Sequence, residues 1–96
     1  MDYIQNTEEV LFITFQSRED IVQFVATCQE YDDDIDIRQG KQYTDAKSVM
    51  GMLLCPLQEA LEIVYKCYDD TNDYEEFRKA VLEKYAVDVR PGTGKE

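Results

Sequence analysis

Histidine does not occur anywhere in this 96-residue chain. That single absence removes the commonest general base and closes off any phosphoryl transfer through a phosphohistidine. Basic residues are scarce: 10 Lys and Arg stand against 21 Asp and Glu, for a formal net charge of -11. Nucleic-acid backbones and anionic lipid surfaces both require a basic patch, so neither is expected as a partner. A partner's contact face is expected to be basic, apolar or neutral. No apolar run approaches the length of a membrane span. The stretch MDYIQNTEEV carries neither a basic n-region nor a signal-peptide core. A cytoplasmic location is the expectation.

Only three cysteines occur, Cys28, Cys55 and Cys67, far apart and without a CxxC pair. That pattern fits reduced thiols packed as small apolar side chains, with no metal site and no cofactor. Enzymatic activity is not expected either, because no nucleophile–base pair is visible. No internal repeat or low-complexity segment interrupts the chain.

This length closes one hydrophobic core, not two. EVLFITFQ (9–16) reads as a strand, with Leu11, Ile13 and Phe15 on one face and Val10 and Phe12 on the other. Ser17 is placed to cap a helix whose stripe is Ile21, Phe24, Val25 and Cys28. DIDIR alternates as a strand with one wet face, Gly40 marks a turn, and KQYTD is a weak return strand. A short helix is expected from Ser48 until Pro56 stops it. LEIVYKC sets Leu61, Ile63, Tyr65 and Cys67 against Glu62, Val64 and Lys66. A last helix is expected to start near Asn72 or Asp73, with Tyr74, Phe77, Val81 and Tyr85 as its apolar stripe.

The expected class is therefore α+β: an antiparallel four-stranded sheet, covered on one face by three helices, in the order βαββαβα. Residues 1–8 are expected to form an N-terminal arm, 9–87 the domain and 88–96 a flexible tail.

Two apparent motifs dissolve on inspection. PGTGK near the end resembles part of a phosphate-binding loop, but Glu96 follows Lys95 where Ser or Thr and a helix are required. Asp32, Asp33, Asp34 and Asp36 do not have the central Gly and distal Glu of a calcium loop and read as a solvated turn.

DAKSVMGMLLC (45–55) is more informative. Ser48 is an N-cap candidate, and an N-cap is also where an added phosphate meets free amides. Val49, Met50, Met52, Leu53 and Leu54 are too many apolar side chains for one narrow stripe, so part of the helix should face outward. Gly51 inside that run suggests a close backbone approach.

AKSVMGML (46–53), with the preceding EYDDDIDI (30–37) and GK (40–41), resembles the regulatory-serine helix and its approach in the HPr family. HPr is the small phosphocarrier of the bacterial sugar phosphotransferase system. The likeness is best from Phe24 to Tyr65 and loosely covers 9–87. It implies an open-faced sandwich and makes Ser48 similar to the serine that a dedicated kinase modifies. It implies a partner-binding surface of Lys47, Val49, Met50, Met52 and Leu53. The partner would be that kinase or a transcriptional or metabolic regulator.

The family carries phosphate on a histidine followed by Ala-Arg-Pro in the loop before the first helix. Here FITFQSREDIVQF passes through that region with Ser17 to Asp20 at the junction and no histidine. The resemblance thus implies a paralogue with a regulatory face and no carrier chemistry. If the first and last strands pair as in the family, Val10, Phe12 and Val64 would form a second apolar patch fit for a homodimer. An oligomerising domain without a signalling role is the alternative.

Overall fold

In a computed structural model, described for residues 7–67 and 73–85, the chain folds as a four-stranded antiparallel sheet with three helices. The elements are β1 (Thr7–Ile13), α1 (Arg18–Cys28), β2 (Asp34–Gln39), β3 (Gln42–Asp45), α2 (Val49–Met52), β4 (Leu61–Cys67) and α3 (Tyr74–Tyr85). The strands lie in the order β1-β4-β2-β3. β4 is the centre of the register: Val64 stands opposite Val10 of β1 on one side and Asp36 of β2 on the other.

Alternation decides which side chains reach the core. Leu11, Ile13, Ile35, Ile37, Leu61, Ile63, Tyr65 and Cys67 all point to the helix-covered face and are buried. They pack with Ile21, Phe24, Val25 and Cys28 of α1, Met52 of α2, and Tyr74, Phe77, Val81 and Tyr85 of α3. Both helical stripes anticipated from the spacing are therefore the buried faces. Aromatic rings tie the layers together edge-on, from Phe15 against Phe24 at 5.2 Å to Tyr31 against Phe77 at 5.4 Å. Such pairs add about 0.5–1.5 kcal/mol each beyond area burial.

Local chemistry accounts for the element ends. The Ser17 hydroxyl accepts from Asp20 N at 3.2 Å, and Asp20 Oδ2 accepts in turn from Gln16 N at 2.9 Å. Phe77 N donates to Asp73 O at 3.0 Å, which makes Asp73 the residue from which α3 grows. Gly40 has φ +62° in the two-residue connection between β2 and β3, a conformation open to glycine at little cost.

Two boundaries differ from the sequence reading. β1 begins at Thr7 and ends at Ile13, instead of running from 9 to 16. Past Ile13 the backbone is claimed elsewhere: Thr14 N donates to Tyr85 O at 3.0 Å, and Phe15 O accepts from Gln58 N at 2.7 Å. Phe15 stays fully buried without being in a strand. α2 is a single turn that ends before Pro56 acts, because Leu54 N and Cys55 N close tight turns onto Gly51 O and Met52 O. The expected arm (1–8) lies largely, and the expected tail (88–96) wholly, outside the described residues.

Candidate protein-binding face

The segment from Asp45 to Cys55 is held to the body of the protein by backbone and side-chain bonds. Ala46 N donates to Ile35 O at 2.9 Å and Ala46 is buried, so the loop is anchored before the helix begins. Asp45 Oδ1 accepts from Lys47 N at 2.9 Å, and Asp45 O accepts from Ser48 N at 3.0 Å. The Lys47 ammonium donates to Tyr31 O just beyond α1, and Gln29 Nε2 donates back to Lys47 O at 3.0 Å. A lysine on the carbonyl beyond a helix end is electrostatically favourable. It also locks the end of α1 to the start of α2.

Ser48 caps α2 from an extended backbone (φ −101°, ψ 108°), its hydroxyl accepting from Gly51 N at 3.3 Å. Space at Gly51 is tight: a Cβ there would fall 3.1 Å from Thr44 Cγ2 and in ordinary contact with Ser48 Oγ at 3.5 Å. The close approach anticipated at Gly51 is thus to the β3 side chain beside the cap.

The apolar run around α2 divides sharply. Met50 is 83% exposed and Leu54 85%, with Val49 exposed beside them. Met50 lies on α2 and Leu54 in the tight turn just past its end. Leu53 and Lys47 are half-buried, Leu53 packing against the core. Met52 is fully buried in that core, which removes it from the expected contact surface. Two positions past Met50 is about 200° around a helix, so the two methionines point in opposite directions. Leu54, not assigned to that surface from the sequence, is as exposed as Met50.

The second expected patch lies on the sheet's open face. Val10 is 42% and Phe12 51% exposed there. Val64 is fully buried, so it is a floor and not a contact residue, a correction to the expected patch. Long side chains roof it. Arg38 hydrogen-bonds Glu62 through two nitrogens, and Lys66 pairs with Asp36 at 3.1 Å. Both cations stand 5.9 Å from the Tyr43 ring.

The acidic turn is engaged in the fold: Tyr65 donates to Asp33 Oδ2 at 2.6 Å, and Asp36 belongs to the ion pair just described. Among the described residues no group of three or more His, Cys, Asp or Glu could hold a metal ion. All three cysteines are free and buried. Burial pushes the Cys55 thiol above its ordinary value, away from the thiolate a nucleophile requires. No described helix is long and apolar enough to cross a membrane. Compared with known proteins, the chain matches no family model, no curated protein and no solved structure.

Proposed function

We propose that this chain is an HPr-like regulatory module that binds a protein partner through the α2 face and is switched by phosphorylation of Ser48. The observation that carries the reading is the capped turn itself. Ser48 presents its hydroxyl at the head of α2, and Met50, Val49 and Leu54 stand exposed directly beside it. Supporting it are the Lys-Ser-Val-Met-Gly motif, the element order, and the pairing of β1 with β4 that the family resemblance implies. With no histidine the chain cannot carry phosphate as a phosphohistidine, so its relation to the sugar phosphotransferase system would be regulatory.

A phosphate on Ser48 would add nearly two negative charges next to Asp45 on an already acidic protein. α2 has one turn, so its dipole contributes little and the main effect is on the partner: an acidic contact face is repelled, a basic one is recruited. The test is intact mass after incubation with ATP and an HPr-type serine kinase, beside a Ser48→Ala chain and an authentic HPr. One added phosphate, absent from the Ser48→Ala chain, supports the reading. No addition while HPr is modified in the same tube leaves Ser48 as a cap and favours the oligomerising alternative.

A further inference from the structure

The sheet has two edges, and they are built differently. β3, at one end, is four residues long, follows a tight turn, and has the Tyr43 ring beside two cations. Short, charged edges resist pairing with other chains. β1, at the other end, is seven residues long, and no described strand lies beyond it. It contains no lysine, proline or glycine; its only charges are Glu8 and Glu9. Thr7 to Val10 are all exposed, and Phe12 again. On the open face Val10 and Phe12 form an apolar ridge along this edge, while the sheet centre beside it is closed by the Arg38–Glu62 and Lys66–Asp36 pairs. On the helix side α3 packs on the inner side chains of β1, Leu11 and Ile13, and past the strand Thr14 N donates to Tyr85 O at 3.0 Å.

We infer that the outer edge of β1 accepts an extended, basic segment of a partner protein as a fifth strand, with apolar side chains against Val10 and Phe12 on the open face, cations near Glu9 on the other face, and Glu8 adding charge at the end of the ridge. Main-chain bonds supply affinity in this mode, and alternating side chains supply selectivity. Charge chooses the occupant. A second copy would bring its own Glu8 and Glu9 to the seam and a net charge of -11 with it, whereas a lysine-bearing strand is attracted on both counts. The inference concerns a different surface from the α2 face and does not depend on Ser48.

Amide hydrogen exchange by NMR on the full chain is the experiment. In the free protein, β1 amides bonded to β4 should exchange slowly and those directed outward quickly, in alternation along the strand. Uniform protection, or a doubled mass at the same concentration, overturns the inference, since the edge is then already filled. An eight-residue capped peptide alternating lysine and valine should next bind saturably, slow the outward amides and shift Val10 and Phe12. A peptide of the same composition in two blocks should bind at least about tenfold more weakly, because only alternation places the valines together on the ridge. Reversing both exposed glutamates (Glu8→Lys with Glu9→Lys) should weaken the alternating peptide by about tenfold at low salt and by less as salt rises. Phe12→Thr is a second variant that leaves the edge charge intact and should weaken it severalfold. Equal binding of the two peptides would mean attraction to a polyanion and not strand addition, and indifference to the charge reversal would place the binding away from this edge; either overturns the inference.

Discussion

On the helix-covered face of the sheet, Ile13, Ile37 and Ile63 are sealed by side chains from α1, α2 and α3. On the open face, Val64 is sealed just as completely, although no described helix covers that side. Within the sheet, Val10 and Asp36 stand in direct register with it, and Glu62 and Lys66 lie two residues away along β4. The hydrocarbon stems of long charged residues exclude water while their heads pair at the surface. The comparison teaches that a face without helices is not uniformly wet. Its middle is closed by ion pairs, while the margins leave Val10 and Phe12 of β1 and the Tyr43 ring of β3 exposed.

The largest expected effect tests the covered face. Phe77→Ala removes a ring that touches Phe24, Tyr31 and Tyr65 and should cost about 3–5 kcal/mol by urea denaturation. Val64→Ala probes whether the open face holds a real core position. A loss of about 2 kcal/mol is expected, whereas Phe12→Ala on the same face should change stability by less than about 0.5 kcal/mol. Equal, small effects of the two would reduce the open face to ordinary surface.

Next come two buried tyrosines with opposite hydroxyl environments. Tyr65→Phe deletes the bond to Asp33 and should cost about 1 kcal/mol. The Tyr85 hydroxyl has no partner among the described residues, so Tyr85→Phe should be neutral or stabilising. Burial, aided by the neighbouring Asp33, holds the Tyr65 phenol above its ordinary value. The folded chain therefore keeps this proton more tightly than the unfolded one. Its contribution to stability is complete below about pH 10 and is lost as pH rises beyond that. Alkaline titration of the Tyr65→Phe chain should show a shallower loss over that range.

The smallest effect concerns the roof over Val64. A double-mutant cycle on Lys66 and Asp36, replaced by Met and Asn, should return a coupling of about 0.5 kcal/mol, both side chains being partly exposed. Added salt should reduce it. A coupling that vanished even at low salt would leave shape alone to protect Val64.

Much of the architecture was legible in residue spacing, because it depends on short-range periodicity. Ile35 and Ile37 against Asp36, or Tyr74, Phe77, Val81 and Tyr85 on one stripe, need only a period of two or 3.6 to be assigned to a side. The Ser17 and Ser48 caps were equally accessible, since a cap is completed within three residues. The α2 surface was half legible. The apolar run signalled that something must be exposed, but the assignment of Met52 to the outside followed a family pattern and ignored the turn of the helix. Lys47's bond to Tyr31 O spans 16 residues and left no trace in local sequence.

Composition and periodicity settled the strand and helix faces, the capped turn at Ser48 and the absence of histidine chemistry, because each is a property of single residues or near neighbours. Whether a side chain is reachable was settled by distant parts of the chain. Val64 and Val10 look alike in an alternating pattern; one lies in a central strand between two paired neighbours, the other in a strand with one described neighbour. Exposure is a sum over everything that packs nearby, and strand order, which determines that sum, comes from long-range pairing.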